Sequence, residues 1–168
     1  MVYYYLDLET HGEGDPNPEQ DKIISIFHCA MDPSTGKQIG EPVLLKSWDS
    51  SEEDIVKKLY ERLKKHVFDF VPVGFSVLFD LWFLKSKFNK YCEANLDDSF
   101  FVNRPYLDLK HVAVLANQGR FKGVRLTNEG NPIKDWYEFN DYSSIERHMQ
   151  EKFEKFLEAY EKWHAKLQ

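Results

Sequence analysis

The segment that most constrains the fold is residues 2–8, which read VYYYLDL. These residues are aromatic or aliphatic at almost every position, on both alternating faces. A strand with this pattern is typically buried on both sides of a sheet. We therefore expect an α/β protein in which this strand lies inside the sheet and helices flank it.

The rest of the chain alternates between strand and helix patterns. Strands are predicted at 22–31, 38–48, 68–75 and 99–107, and helices at 51–67, 79–91, 110–117 and 142–167. The turn sequence DPSTGK joins the second and third strands as an antiparallel hairpin. Ser50 followed by Glu53 predicts a capping box at the first helix. Strands joined through a crossover helix lie parallel, so the predicted sheet is mixed. Residues 119–140 are predicted to be irregular.

Size and composition fit one domain over 1–168. The 168 residues are 42% hydrophobic and 30% charged, enough for a core without disulfides or a structural metal. Cys29 and Cys92 lie far apart in apolar segments, which excludes a CxxC redox pair or a cysteine zinc site. The same placement favours core positions for both cysteines and a reducing, cytoplasmic setting for the protein. We find neither a secretory leader pattern nor an apolar run of membrane-spanning length, and so expect no membrane partner.

The charge distribution limits the function classes. A net charge of −6 argues against a protein that coats nucleic acid by bulk electrostatic attraction. It leaves a nuclease open, because an acidic cluster that holds cations lowers the formal charge. Between 104 and 125 basic residues outnumber acidic ones, which indicates either a phosphate-binding surface or a solvated loop. The basic residues there are Arg104, Lys110, Arg120, Lys122 and Arg125. The sequence motifs of serine hydrolases, P-loop proteins and Rossmann cofactor sites are absent.

Three acidic residues lie at the ends of predicted strands and helices, where they could bind a metal ion. Asp7 and Glu9 lie two apart at the end of the first strand, so both side chains are predicted on one sheet face. Such a pair is either an ordinary solvated pair or a set of oxygen ligands for Mg²⁺ or Mn²⁺. Asp80 interrupts the apolar run VGFSVLFDLWFLK near the start of a helix. It is either a helix cap or a further ligand, since sites in open α/β sheets form at the carboxyl ends of strands. Asp108 is predicted to be a helix cap.

Two of these segments resemble a known superfamily. YLDLETHG resembles the first motif of the DEDD 3′-to-5′ exonucleases, which have a ribonuclease H-like fold, and the match runs from Asp7 to Thr10. VGFSVLFDLWFL resembles the second motif, with Ser76 where asparagine is usual. The residues that match the second motif are Gly74, Phe79, Asp80, Phe83 and Leu84. The resemblance implies a mixed sheet of about five strands, in the order 3-2-1-4-5, flanked by helices.

The third motif of that superfamily departs from its pattern here. The family places Tyr-x₃-Asp or His-x₄-Asp early in the last helix, where the aspartate is the fourth carboxylate. His148 matches the tyrosine position, but the aspartate position then falls on Lys152, or on Phe153 with the histidine spacing. Glu151, one residue away, and Asp141, which precedes the helix, are the alternative fourth ligands. A third alternative is that the fourth carboxylate is missing.

The resemblance implies a metal-dependent 3′-to-5′ exonuclease acting on single-stranded DNA or RNA, with DNA favoured, through two Mg²⁺ or Mn²⁺ ions. The implied ligands are Asp7, Glu9, Asp80 and Glu151, with His148 as a catalytic helper. The implied contacts to the terminal nucleotide are Thr10, Leu78 and Phe79. Two alternatives stay open: a nucleic-acid-binding or scaffold protein that has lost catalysis, and an endonuclease. The sequence also leaves open whether the chain acts alone, as a homo-oligomer or within a larger assembly.

Overall fold

A computed structural model describes residues 2–65, 69–116 and 132–167. The strands within them are β1 (Val2–His11), β2 (Lys22–Met31), β3 (Gln38–Lys46), β4 (Phe70–Gly74) and β5 (Leu107–Asp108). The helices are α1 (Glu52–Lys64), α2 (Val77–Cys92), α3 (Ser99–Val102), α4 (Leu109–Ala116), α5 (Ile133–Glu138) and α6 (Tyr142–Leu167). A single 3₁₀ turn, Ser47–Asp49, precedes α1.

The described strands form one mixed sheet in the order β3-β2-β1-β4-β5. β1 pairs antiparallel with β2 and parallel with β4, while β2–β3 is the antiparallel hairpin and β4–β5 is parallel. The predicted α/β class and strand order are therefore confirmed. β1 occupies the centre because both of its faces are apolar and both are covered by other elements.

Two apolar layers cover the sheet. One lies between the sheet and α1 and α2 and contains Leu6, Leu59 and Leu84. The other lies between the sheet and α6, where Tyr5 packs against Phe156 with ring centroids 4.5 Å apart. Side chains alternate between the two faces of a strand, so every second residue of β1 counted from Tyr5 faces α6. The acidic residues at the end of β1 therefore point toward the last helix.

Gly74 sets the spacing between the end of β4 and β1. A Cβ atom at this position would lie 2.7 Å from the carbonyl oxygen of Leu6, so no other side chain fits without movement of the backbone. Ser76 follows in the left-handed conformation, with φ of 60°, and α2 begins at the next residue. The chain thus turns directly from β4 into α2 beside the end of β1.

The structure corrects three local predictions. The predicted strand at 99–107 is wrong over most of its length, because Ser99–Val102 is helical and only Leu107–Asp108 is strand. Asp97 causes the turn, since its carboxylate accepts hydrogen bonds from the backbone N–H and hydroxyl of Ser99. The cap of α1 is Ser51 rather than the predicted residue before it. Helix α5 was not predicted.

Several other expectations concern single residues. Cys29 is a buried free thiol, and Cys92 is a partly buried one. Asp108 accepts hydrogen bonds from the backbone N–H groups of Lys110 and Val77, at the starts of α4 and α2, as a helix cap does. Arg104 donates to the carbonyl oxygen of Phe70. The other basic residues of the predicted surface, Arg120, Lys122 and Arg125, and residues 119–131 of the predicted irregular region lie outside the described residues. Among the helices described, none is long and apolar enough to cross a membrane.

Candidate active site

Three acidic side chains meet where β1 ends and α2 begins. Asp7 and Glu9 project from the same face of β1, and a register shift in the pairing with β2 follows directly, between Glu9 and Thr10. Asp80 lies in the first turn of α2, where its carboxylate accepts a hydrogen bond from the backbone of Leu8. The three acids are 6%, 5% and 3% exposed, respectively. The structure thus brings together the acids of the first two motifs.

A lysine from α6 completes this cluster. The ammonium of Lys152 donates to Asp7 Oδ1 at 2.7 Å and to Glu9 Oε1 at 2.8 Å. These are the distances of charge-assisted hydrogen bonds. Lys152 stands at the sequence position where the family pattern has its fourth carboxylate. The ammonium of Lys152 therefore lies where the family pattern has its fourth carboxylate.

His148 lies one helical turn before that lysine and also faces the cluster. Its Nε2 atom is 3.6 Å from Glu9 Oε1, and its ring packs edge-on against Trp136 with centroids 5.7 Å apart. The distance to Glu9 is longer than a well-formed hydrogen bond. His148, the predicted helper, thus lies beside Glu9.

The charges in the cluster perturb one another. Burial raises the pKa of Asp7 from 3.8 to about 6, with Lys152 opposing the increase and Glu9 adding to it. Burial and the charge of Asp7 raise the pKa of Asp80 well above its ordinary value. Burial opposes the charged form of Lys152, but Asp7 and Glu9 outweigh it and raise the pKa of the ammonium. Burial and the charge of Lys152 lower the pKa of His148, so at neutral pH the lysine is charged and the histidine is neutral.

Two carboxylate oxygens in the cluster lack partners. Asp7 Oδ2 and Asp80 Oδ2 are buried without a hydrogen bond from any residue that the structure describes. Hard anionic oxygens of this kind suit Mg²⁺, which proteins often hold through one or two carboxylates, with water and substrate completing its shell. No group of three or more acidic, histidine or cysteine side chains in the described ranges could hold a metal ion by itself. Asp7 Oδ2 and Asp80 Oδ2 are therefore the buried carboxylate oxygens of the cluster that remain available to a cation.

The remaining candidate ligands lie elsewhere. Glu151 is an exposed residue of α6, while its neighbour Lys152 points into the cluster. Asp141 accepts hydrogen bonds from the Ser143 hydroxyl and from the backbone N–H of Ser144, and so acts as a cap at the start of α6. Neither residue makes a described contact with the three acids. The structure therefore supplies no fourth carboxylate at the place where the family pattern has one.

The predicted nucleotide-binding residues are close to the acids in the sequence. Thr10 is half-buried at the end of β1, and Leu78 is 39% exposed in the first turn of α2. Phe79 packs against Phe83 with ring centroids 4.8 Å apart. Sequence reasoning missed Trp82, which is 42% exposed and lies one turn after Leu78 on the same helix face. The spacing of four residues between two large apolar side chains was the available signal.

Comparison with known proteins bears on the fold. A structure of exonuclease I in complex with the inhibitor BCBP is similar to this chain, with a TM-score of 0.53 and 15% identity over 77% of this chain and 33% of that one. Escherichia coli exonuclease I in complex with a dT13 oligonucleotide gives a TM-score of 0.53 and 15% identity over 77% of this chain and 32% of that one. This chain thus spans about a third of those chains. No family model and no curated protein matches the sequence. At this identity the similarity establishes the fold alone.

Proposed function

We propose that this protein is a metal-dependent nuclease that hydrolyses single-stranded nucleic acid from its 3′ end, with DNA favoured over RNA. The observation that carries the proposal is the group of three buried acids, Asp7, Glu9 and Asp80, at the end of the central strand. Burying carboxylates is costly unless they are paired or bind a cation. Two of their oxygens have no partner among the described residues, so the group is suited to binding a divalent cation.

Asp7 and Asp80 are the residues that would hold the cation, through the oxygens that Lys152 does not use. When bound, a divalent cation supplies two things: a lowered pKa for a coordinated water and neutralisation of charge on the scissile phosphate. Glu9, held by Lys152, would orient the attacking water. The neutral His148 lies beside Glu9 and would accept a proton from that water.

The surroundings of the acids support a single strand as the substrate. Leu78 offers exposed apolar surface in the first turn of α2, the turn that also carries Asp80, and stacking on such surface binds bases without regard to sequence. The similar structure of Escherichia coli exonuclease I contains a dT13 oligonucleotide, which is single-stranded DNA. We carry that substrate class to this chain as part of the proposal.

A second candidate function is nucleic-acid binding without catalysis. It is favoured by one observation, the ion pairs of Lys152 with Asp7 and Glu9, which satisfy one oxygen of each acid without a metal. On this alternative the site would bind the strand and leave its phosphodiester bonds intact.

The test is digestion of 5′-labelled single-stranded DNA and a matching RNA with Mg²⁺, Mn²⁺ or EDTA. The full chain is compared with Asp7→Asn, which removes a charge from the cluster. The matched control is Asp15→Asn, because Asp15 is an exposed loop residue. We expect stepwise shortening from the 3′ end by the wild type and the control, and none in EDTA or with Asp7→Asn.

Other outcomes separate the alternatives. Internal cleavage of a strand whose 3′ end is blocked would replace the exonuclease with an endonuclease. Intact strands under every metal, with a gel shift of the same strands, would overturn the nuclease and support binding without catalysis. Intact strands without a gel shift would overturn both candidates.

A further inference from the structure

The position of Lys152 indicates that a side chain of the protein supplies one of the cations that neutralise the acids. We propose that its ammonium takes the place of one of the two metal ions expected at such a site, so that the protein binds a single divalent ion. This inference rests on the proposed nuclease function, because it specifies how the same acids are neutralised. The contacts with Asp7 and Glu9 carry it.

The contacts divide the oxygens of the cluster into two sets. Lys152 lies between Asp7 Oδ1 and Glu9 Oε1, at 2.7 and 2.8 Å, as a bridging cation would. The other oxygen of Asp7 and an oxygen of Asp80 stay buried without a partner in the described part of the chain. One set of oxygens is therefore neutralised by the protein itself, and the other is left for an ion from solution.

The formal charges lead to the same division. The three carboxylates carry three negative charges and Lys152 one positive charge, which leaves two negative charges for one divalent ion. With an aspartate at position 152 the same cluster would carry four negative charges, which two divalent ions would balance. The residue at this single position thus determines how many ions neutrality requires.

The helix that carries the lysine is fixed against the sheet. Phe153, the next residue, packs against Tyr5 and Phe27 with ring centroids 5.0 Å apart in both pairs. Met149 on the same helix is fully buried. Because these contacts hold α6 in register with β1, the backbone of Lys152 cannot withdraw from the acids without opening the core. The packing of α6 therefore keeps the Lys152 side chain within reach of Asp7 and Glu9.

The test counts ions rather than reaction products. Mn²⁺ is titrated into the full chain by calorimetry, and the bound ion is observed by electron paramagnetic resonance, in which paired ions couple and an isolated ion does not. The variant is Lys152→Asp, and the matched control is Lys162→Asp, an exposed lysine on the same helix. We expect one uncoupled ion in the wild type and the control, and two coupled ions in Lys152→Asp.

A fourth buried carboxylate destabilises the metal-free variant, so Lys152→Asp is purified in Mn²⁺ and Lys152→Met serves as a second variant. Lys152→Met removes the charge without adding a ligand. We expect Mn²⁺ to raise its midpoint of thermal unfolding by more than it raises that of the wild type. Two ions in the wild type, one ion in a folded Lys152→Asp, or equal increases for Lys152→Met and the wild type would each overturn the inference.

These outcomes are distinct from failure of the nuclease proposal. A wild type that binds one ion and leaves the labelled strands intact would overturn the nuclease and support the role of Lys152. A wild type that shortens the strands with two bound ions would overturn only the role of Lys152. A wild type that binds no Mn²⁺ would overturn both.

Discussion

Two lysines that pair with buried or nearly buried carboxylates, Lys87 and Lys152, are surrounded in different ways. Lys87 of α2, 1% exposed, donates to the carbonyl oxygen of Asp21 at 2.5 Å and lies 3.1 Å from Glu52 Oε1. The same oxygen of Glu52 accepts a hydrogen bond from the backbone N–H of Ile23, and its other oxygen accepts one from the hydroxyl of Tyr91. One lysine here faces one carboxylate, and both oxygens of that carboxylate are satisfied.

Lys152 instead serves a group of three carboxylates. It bonds to one oxygen each of Asp7 and Glu9, while oxygens of Asp7 and Asp80 have no partner in the described ranges. A buried charge that is fully paired holds elements together, here α1, α2 and the start of β2. A buried group that is paired only in part keeps capacity for a ligand. The difference in pairing separates the structural lysine from the one at the candidate site.

The largest expected difference is in hydrolysis. Asp80→Asn removes a charged ligand, and we expect the rate of strand shortening in Mg²⁺ to fall by about 1,000-fold, the scale of losing one electrostatic contact to the transition state. Glu52→Gln belongs to the other network and should keep the rate of the folded protein within about 3-fold, because it touches no reacting group. Equal losses in the two variants, measured under saturating substrate, would remove the distinction between the networks.

The next effect is on stability and its dependence on metal. Lys87→Met leaves Glu52 buried without its cation, and Lys152→Met does the same to Asp7 and Glu9. Each variant should lose about 3 to 5 kcal/mol of unfolding free energy in EDTA. Added Mg²⁺ should restore a large part of the loss only for Lys152→Met, since only that cluster has free oxygens for an ion. Urea unfolding with and without Mg²⁺ measures the loss of unfolding free energy and the part that Mg²⁺ restores. Restored stability of Lys87→Met in Mg²⁺ would contradict the distinction between the two lysines.

The pH dependence sharpens the same contrast. The pKa of Asp7 is about 6 in the folded chain, above its ordinary 3.8. The folded state therefore holds this proton more tightly than the unfolded state does. The stability it contributes is fully present below pH 3.8 and is lost as the pH rises through 6.

In metal-free protein we therefore expect the wild type to lose about 2.4 kcal/mol relative to Asp7→Asn between pH 4 and pH 7.5. Denaturant unfolding of both proteins in EDTA across this range measures the difference. The matched control is Glu53→Gln on the exposed side of α1. A constant difference between the wild type and Asp7→Asn at every pH would show that Asp7 is not held in an unfavourable charged state.

The smallest effect concerns the surface beside the acids. Leu78→Ala removes an exposed apolar side chain next to Asp80 and should weaken single-stranded DNA binding by about 5-fold, or about 1 kcal/mol. Ile39→Ala removes an apolar side chain of similar exposure from the edge strand β3, and should leave binding unchanged. Fluorescence anisotropy of a labelled oligonucleotide gives both dissociation constants. Equal weakening by the two variants would mean that binding does not depend on α2.

Patterns that depend on near neighbours predicted much of this structure. The apolar faces of β1 and the turns on either side of β2 were enough for the sheet. Asp7, Glu9 and Asp80 were singled out by the resemblance of their segments to two exonuclease motifs, because their spacing alone also fits solvated residues and a helix cap. The helix at Ser99–Val102 was missed because the side chain of Asp97, rather than an apolar period, determines it. The contacts of Lys152 could not be predicted, since they depend on the register of α6 against β1.

The contact between Lys152 and Asp7 spans 145 positions of the sequence, and this separation orders events during synthesis. At translation rates of about 5 to 20 residues per second, the acids of β1 precede their lysine by roughly 7 to 30 s. During that interval water solvates the charges of the acids on this face of β1. Docking of α6 then replaces part of that water with the ammonium of Lys152. The step that closes the second apolar layer is thus the same step that completes the site.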